Sequence, residues 1–328
     1  MNMPAPIELL TALRCPTPAA TTTAATMRIS VCIATYRRPE RLRVLLDDLI
    51  VQRRPPHEVI VVDNDAEGSA RAVVDVARGR GLPFALHYEI QPQKNVAITR
   101  NRSVALAQGN WLAFVDDDER APPAWLGDLA AAAARFDADA VLGPVLPLLP
   151  DSAPPWLRRG RFYDWARLPT GSVVPVRLLR FGNVLLSAEV LLTQAQVFDP
   201  AYGLTGGEDG DLLARLTQAG ARIVWCDEAS VTEPVEAARM SLRWLLLRAL
   251  RGGQDFARHV LAGRHGPATR GRRLRLLLRA LLQMLAAGLL AVLCLPLGRH
   301  RCAHWLTKAT ANFGKLSAFA GLHYREYA

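Results

Sequence analysis

The chain has 328 residues, of which 50% are hydrophobic, and only five are cysteines. This is enough for one large α/β domain with an appendage. The cysteines show neither a paired metal-ligand spacing nor a disulfide framework, which argues against a small disulfide-rich secreted domain and favours a reducing cytosolic setting. The net charge of +10 is uneven, with sixteen Lys/Arg and two acids in residues 239–328. That basic segment predicts an anionic partner.

The sequence divides into four predicted segments. Residues 1–26 are rich in Thr, Ala and Pro and lack the basic-then-apolar order of a secretory signal, so we predict a disordered leader, with Met27 as an alternative start. We then predict a catalytic domain over residues 27–235, a basic helical extension over 236–265 and a membrane-associated helical tail over 266–328.

Strands and helices alternate in the catalytic segment. Short apolar, β-branched runs predict strands at residues 29–34, 59–62, 85–89 and 111–115. With helices between them, they predict a mostly parallel sheet with both faces covered. Ligands bind such sheets beyond the carboxyl ends of the strands. Thr35, Asp63 and Asp116 fall at these ends and are expected on one rim.

The fourth predicted strand ends in four consecutive acids, Asp116 to Glu119. Adjacent carboxylates repel one another unless a cation or hydrogen-bond donors neutralise them. Because side chains alternate along a strand, Asp116 and Asp118 are expected on one face, and such hard oxygen ligands suit Mg²⁺ or Mn²⁺. The alternative is a solvated acidic turn.

The second half of the catalytic segment is less regular. Residues 184–187 and 223–225 predict two more strands, and a glycine-rich loop at 203–207 leads to Glu208 and Asp209. The intervening segment 154–175 is loop-like and carries exposed aromatic residues. Those aromatics would either stack on a sugar or anchor the loop.

The order and spacing of these motifs resemble a family 2 glycosyltransferase with the GT-A fold. The donor-side motifs are Thr35-Tyr36-Arg37-Arg38-Pro39, Val62-Asp63-Asn64-Asp65 and Asp116-Asp117-Asp118. On the acceptor side, the resemblance rests on Gly206-Gly207-Glu208-Asp209. Residues 63–67 and 233–254 are similar to succinoglycan-type exopolysaccharide glucosyltransferases. The resemblance covers residues 27–258 and implies a Rossmann-like, nucleotide-sugar-binding, mainly parallel mixed sheet flanked by helices.

The resemblance also implies roles for the donor side of the site. Thr35 would line the nucleotide pocket, and Asp63 would accept a hydrogen bond from the uracil N–H, with a turn-forming role as the alternative. Asp118 would bind Mg²⁺ or Mn²⁺, and Asp116 would be a second ligand or hold the ribose. Further residues implied near the nucleotide or its diphosphate are Arg37, Arg100, Arg248 and Arg251.

On the acceptor side, the resemblance implies that Asp209 is the base of an inverting transfer, with Glu208 as the fallback and a helix N-cap acid as the alternative. The donor would be a UDP-sugar, with glucose as the family-guided choice, and the acceptor a saccharide on a polyprenyl diphosphate or another saccharide. One departure is Thr232, where relatives often place a His. Either Glu233 substitutes for that His, or arginines such as Arg239 hold the diphosphate.

The basic tail contains an apolar stretch. Residues 281–297 are 17 residues without a charge, which is at the lower limit for a membrane span. Arginines flank the stretch on both sides, so we predict a helix lying in the cytoplasmic interface of the plasma membrane, with one or two membrane segments as the alternative. The apolar content favours anionic lipid over nucleic acid as the partner.

Two other functions fit parts of the same pattern. A Mg²⁺-dependent nucleotidyl- or phosphotransferase would use the acidic strand end without needing the pair Glu208 and Asp209. A non-catalytic, membrane-tethered module would bind the nucleotide-sugar without transferring it.

Overall fold

The computed structural model describes residues 24–325, so most of the predicted leader lies outside the described residues. Seven strands form the main sheet: β1 (Ile29–Thr35), β2 (Glu58–Asp63), β3 (Ala85–Ile90), β4 (Trp111–Val115), β5 (Ala140–Leu142), β7 (Asn183–Ser187) and β8 (Ile223–Trp225). Their order is β3-β2-β1-β4-β7-β5-β8, and β7 runs antiparallel to both of its neighbours while the other pairs are parallel. Two further strands, β6 (Val145–Leu148) and β9 (Val231–Pro234), form a separate parallel pair.

Ten α-helices are found among the described residues. They are α1 (Pro39–Ile50), α2 (Arg71–Arg78), α3 (Val96–Leu106), α4 (Trp125–Arg135), α5 (Pro155–Gly160), α6 (Ala188–Leu192), α7 (Glu208–Gln218), α8 (Leu242–Leu261), α9 (Arg270–Leu293) and α10 (Arg299–Phe319). The predicted mixed, mainly parallel sheet flanked by helices is confirmed, since helices connect the parallel strands and cover the sheet on both sides.

Side chains alternate between the two faces of a strand, so helices must cover both faces of the buried sheet. Val59 and Val61 of β2 belong to the core on one face, together with side chains of α1, α2 and α4. Ile60 and Val62 point into the second core, which is completed by α3, α6 and α7. A parallel strand that is buried on both faces is a continuous apolar run, which is how β2 is recognisable in the sequence.

The three C-terminal helices form one layer. A Cβ atom at Gly253 of α8 would lie 1.9 Å from the Ala311 carbonyl oxygen, and one at Gly314 of α10 would lie 2.2 Å from the Leu250 oxygen. The two helices therefore approach closely because glycine has no side chain at either position. Gln254 adds a hydrogen bond of 2.9 Å to Ser317 Oγ. The predicted basic extension and tail thus pack on each other.

Helix α9 turns one stripe inward and leaves the rest exposed. Its buried residues are Ala280, Ala287 and Ala291, while α9 packs against α10. Large exposed side chains cover the remaining surface and include Leu274, Leu278, Leu281, Leu282, Leu285, Leu289, Val292 and Leu293. By length and composition α9 is the one helix of the described residues that could cross a membrane, with a mean hydropathy of 2.2. Such a helix is weak evidence of membrane association.

Candidate functional site

A cavity of about 680 Å³ lies beyond the carboxyl ends of β1 and β4. Its walls come from the turns after those strands, the first turn of α7 and one face of α8. Eight residues predicted for the site line this cavity: Thr35, Arg100, Asp116, Asp118, Glu208, Asp209, Arg248 and Arg251. The structure therefore brings together residues that are far apart in sequence, while Arg37 and Asp63 lie outside the cavity lining.

The acidic run forms a turn that is held from two sides. Asp117 Oδ2 accepts a hydrogen bond of 2.7 Å from Thr35 Oγ1, which ties the turn after β4 to the end of β1. Arg38 Nη1 lies 3.2 Å from Asp117 Oδ1 and 3.0 Å from Asp118 Oδ2. Burial raises the pKa of Asp117 to about 6, although Arg38 opposes that shift. Asp117 thus supports the turn and positions Thr35.

Asp118 is the most heavily compensated acid of the turn. Besides Arg38, its Oδ2 atom lies 3.6 Å from Arg41 Nη1 and 3.3 Å from Arg239 Nη2. Arg239 also pairs with Glu233, which lines the cavity. This pairing places Glu233 beside the acidic turn, as required if it takes the place of the family's His.

The donor atoms of the acidic turn suit a divalent cation. Among the described residues, no group of three or more His, Cys, Asp or Glu side chains is arranged as a metal site. Mg²⁺, however, is usually held by one or two carboxylates together with substrate phosphates. Asp116 and Asp118 both face the cavity, and the Asp116 side chain is 46% exposed. These two carboxylates therefore fit a cation that is shared with a bound diphosphate.

Arg100 connects the acidic turn to the predicted catalytic pair. Its Nη1 atom lies 2.6 Å from Glu208 Oε1, and its Nη2 atom lies 3.2 Å from Asp116 Oδ1. The guanidinium also stacks 4.7 Å from the centre of the Phe181 ring. Arg100 is almost fully buried, so this two-sided ion pair fixes the distance between β4 and α7.

The two acids at the start of α7 have different surroundings. Glu208 is buried, its Oε2 atom has no hydrogen-bond partner within the described structure, and burial raises its pKa to about 7. Asp209 is half-buried and lines the cavity, where its Oδ1 atom accepts a hydrogen bond of 2.7 Å from the Gly210 backbone. Arg100 thus restrains Glu208, whereas the Asp209 carboxylate is open to a ligand.

Glycines before α7 allow this arrangement. Gly206 and Gly207 have φ angles of 80° and 95°, a region that side chains with a Cβ rarely adopt. A Cβ atom at Gly207 would also lie 3.1 Å from Asp255 Cγ on α8. The loop can therefore turn into the helix while the cavity wall stays close.

The position of Asp63 differs from the predicted one. Its side chain is fully buried, its Oδ1 atom accepts from the Asp65 backbone at 2.9 Å, and its Oδ2 atom accepts from the Ala70 backbone at 2.8 Å and from Tyr88 Oη at 2.9 Å. These contacts give Asp63 the turn-forming role that was the alternative. Its contact with uracil stays a prediction without support from this geometry, and Asn64 is the residue of that motif which lines the cavity.

Arg37 also points away from the cavity. Its guanidinium pairs with Asp65 at 3.2 Å, and its side chain is 57% exposed. The neighbouring Arg38 lines the cavity instead. The sequence does not show which of the two adjacent arginines faces the cavity. The backbone conformation determines this, and Arg37 adopts a positive φ of 53°.

Two titratable residues of α8 line the cavity but were not predicted from the sequence. Asp255 and His259 line the cavity together with Arg248 and Arg251, at the three-, four- and seven-residue spacings of one helix face. Burial raises the pKa of Asp255 to about 8, and the charge of Asp209 adds to the shift. Helical spacing from Arg248 and Arg251 could have indicated Asp255.

The chain was compared with known proteins. The family model described as glycosyl transferase family 2 matches residues 30–175. The succinoglycan biosynthesis protein ExoM of Rhizobium meliloti (strain 1021) is 36% identical over 306 residues, which cover 90% of this chain and 94% of the relative. The chain belongs to glycosyltransferase family 2. This family 2 member is therefore a hexosyltransferase, which selects that prediction over the nucleotidyltransferase and the non-catalytic module.

Other relatives and solved structures agree with the assignment. The galactofuranosyltransferase GlfT1 of Mycobacterium tuberculosis (strain H37Rv) is 30% identical over 226 residues, covering 64% of this chain and 71% of the relative. The mannosyltransferase PcManGT of Pyrobaculum calidifontis, solved with GDP-Man and Mn²⁺, has a TM-score of 0.56 at 16% identity and covers 96% of this chain and 81% of its own. S. aureus TarS 1-349 with UDP-GlcNAc has a TM-score of 0.52 at 19% identity, covering 91% and 93%. These structures confirm the GT-A fold of the family 2 chain.

Proposed function

We propose that this enzyme is an inverting, divalent-metal-dependent glycosyltransferase that moves a sugar from a UDP-sugar to a lipid-linked saccharide in surface polysaccharide synthesis. The observation that carries the proposal is the position of Asp209 in the same cavity as the acidic turn, while the neighbouring Glu208 is joined to Asp116 of that turn through Arg100. ExoM, which matches nearly the whole chain, is a succinoglycan biosynthesis protein, and this supports polysaccharide synthesis.

The nucleotide-sugar binds on the β1 and β4 side of the cavity. Thr35 and Asn64 line the cavity and would contact the nucleoside, and Asp116 and Asp118 would hold Mg²⁺ or Mn²⁺. When bound, the cation supplies charge neutralisation for the departing diphosphate. Arg38 and Arg239 add fixed positive charge beside Asp118, which keeps the leaving group in place. Solved relatives of the same fold bind UDP-GlcNAc or GDP-Man with Mn²⁺, which supports this arrangement.

Asp209 is the proposed base. It takes the proton from the acceptor hydroxyl as that oxygen forms a bond to the anomeric carbon and the bond to the UDP oxygen breaks on the opposite face. The attack from the opposite face inverts the anomeric configuration. Glu208 does not compete for this role, because Arg100 holds one of its oxygens and the other is buried.

The packing of α10 determines how the tail meets the membrane. Helix α10 starts six residues after the end of α9, packs along α9 and also contacts α8, which lines the cavity. If α9 crossed a bilayer, α10 would begin on the far side, and α10 is not apolar enough by length and composition to cross back to α8. We therefore propose that α9 lies in the cytoplasmic interface, with its arginines on anionic headgroups. A membrane-bound acceptor fits such an enzyme.

The test combines binding and turnover. Calorimetry should show UDP binding to the wild type in Mn²⁺ and none after chelation, and UDP release should identify the donor among UDP-glucose, UDP-galactose and UDP-GlcNAc, with a lipid extract as the acceptor source. Asp209→Asn should keep metal-dependent UDP binding and lose transfer by about a thousandfold or more. Transfer that survives in Asp209→Asn would exclude this base, and UDP binding that ignores Mn²⁺ would exclude the proposed metal.

A further inference from the structure

Two groups of arginines line the cavity, and they differ in whether their charges are paired with carboxylates. Arg38 and Arg239 pair with acids of the turn and with Glu233. Arg180 and Arg248 form no ion pair with any carboxylate that the structure describes. The carboxylates that act on the second group do so at longer range, Glu119 on Arg180 and Glu233 on Arg248, so these two arginines can still form direct ion pairs with an anion.

Arg180 carries two buried donors without acceptors. Its Nε and Nη2 atoms are shielded from solvent and have no hydrogen-bond partner in residues 24–325. Buried polar groups without partners are rare, and each one costs free energy until an acceptor arrives. Nε and Nη2 form one edge of the guanidinium, the edge that binds both oxygens of a phosphate or carboxylate side-on. The two vacant donors thus match a single oxyanion.

Arg248 places a second positive charge against the same indole ring. Its Cζ atom lies 5.3 Å from the centre of the Trp165 ring, and the Cζ atom of Arg180 lies 5.0 Å from the same ring. Two guanidiniums on one indole repel each other, and Arg248 contributes to the lowered pKa of Arg180, after the larger effect of burial. An anion between them would remove that repulsion.

The Trp165 side chain covers Arg180 and Arg248. The indole is 54% exposed and belongs to a segment without helix or strand, residues 164–169. On the other side, Arg180 stacks 5.4 Å from the Trp225 ring, which is fixed at the end of β8. The indole is therefore the solvent-exposed neighbour of the guanidinium, whereas the buried Trp225 ring keeps the guanidinium in place.

This group flanks the acidic turn, because β7 pairs with β4 and Asn183, three residues after Arg180, lies opposite Val115. Thr35 and Asp116 follow β1 and β4, whereas Arg180 precedes β7 and Trp225 ends β8. The strand order puts β7, β5 and β8 on the opposite half of the sheet from β1, β2 and β3. Tyr163 and Trp244 stack beside Arg248, and such aromatic surfaces suit a sugar. The group therefore links the acidic turn to an aromatic surface that suits the sugar of an acceptor.

We propose that Arg180 and Arg248, covered by Trp165, form a subsite for a phosphate group carried by the acceptor. The proposal rests on the proposed function, since it assigns one end of the acceptor in that transfer. It replaces the predicted contact of Arg248 with the donor diphosphate. The shared chemistry is a diphosphate, which either the donor or the lipid-linked acceptor could bring, so the two sources need separate titrations.

Geranyl diphosphate is the probe for the acceptor side. It is titrated by calorimetry into enzyme that is already saturated with UDP and Mn²⁺, so that the donor site is closed to it. The wild type should bind the probe, and Arg180→Gln and Arg248→Gln should each weaken that binding by about tenfold or more, since a charge-assisted bond is lost. Arg243→Gln removes an exposed charge of the same helix α8 outside the cavity and should leave the affinity unchanged.

The UDP titration distinguishes the outcomes. Arg180→Gln should bind UDP within about twofold of the wild type. If its UDP affinity falls instead, the arginine serves the donor and the proposal is wrong; it is also wrong if UDP-saturated wild type binds no probe, or if Arg243→Gln loses as much affinity as the cavity variants. Absence of metal-dependent UDP binding would overturn the proposed function separately. Melting curves identify a variant that fails to fold. In that case the affinity of the other cavity variant for the probe tests the proposal.

Discussion

Arg100 shows how a single residue joins the two halves of the site. Its guanidinium compensates Glu208 and Asp116, which come from different elements. Removing it would leave the buried Glu208 carboxylate without a counter-charge. Because that residue is only 3% exposed and its Oε2 atom is shielded from solvent, the loss should far exceed that of an exposed pair.

Arg100→Gln should lower the free energy of unfolding by about 3–5 kcal/mol. Urea unfolding of the full chain measures this value. Arg102→Gln is the matched control in the same helix α3, since Arg102 pairs with Glu89 at the surface. It should cost less than about 1 kcal/mol. Equal losses in the two variants would contradict the structural role of Arg100.

Asp255 gives a pH-dependent prediction. Burial raises its pKa to about 8, so the folded state disfavours its charge and loses stability as the pH rises from about 4 to 8. Asp255→Asn removes this loss. Its melting temperature should equal that of the wild type near pH 4 and exceed it increasingly as the pH rises, by roughly 2–4 °C or more at pH 9. The exposed Asp75→Asn should show no such trend, and a gain of the same size at pH 4 and pH 9 would argue against titration of Asp255.

At the scale of elements, the most sensitive contact is the crossing of α8 and α10. Gly314→Ala would place a Cβ atom 2.2 Å from a backbone oxygen that cannot move independently of its helix. The expected loss is about 1–3 kcal/mol from overpacking. Gly288→Ala in α9 meets nothing within 4 Å and should raise stability by up to about 1 kcal/mol through helix propensity. Thermal unfolding of both variants should show stability changes of opposite sign.

The elements of the sheet could be predicted from sequence, whereas the crossing could not. Buried parallel strands such as β2 are apolar runs, so their existence follows from composition alone. Gly253 and Gly314 leave no periodic pattern, because their importance arises only when two distant helices meet. The same limit applies within the site. Asp63 stands at a strand end as predicted, but the Tyr88 hydroxyl that occupies its carboxylate comes from another strand.

At the scale of the whole molecule, the exposed face of α9 predicts reversible membrane binding. The enzyme should bind vesicles containing anionic phosphatidylglycerol, with an affinity that falls as salt screens the arginines. Leu285→Gln combined with Leu289→Gln should weaken binding by about tenfold or more, because two exposed leucines no longer enter the interface. The exposed Val51→Gln, outside the tail, is the control.

Vesicle flotation measures this binding, and alkaline carbonate distinguishes the mode. A helix in the interface should be released by carbonate, whereas a spanning helix should resist it. Resistance in the wild type would contradict the arrangement of α9. Loss of vesicle binding together with a stable dimer in solution would instead mean that a second copy covers the leucines.

Helix α8 belongs to two structures at once. One of its sides bears the cavity residues Arg248, Arg251 and Asp255, and the opposite side receives α10 through Gly253. Cutting the chain after α8 to obtain a detergent-free enzyme would therefore also remove the support of the cavity wall. A soluble form is better obtained by substituting polar side chains for the exposed leucines of α9. This would leave the helix packing behind the cavity intact.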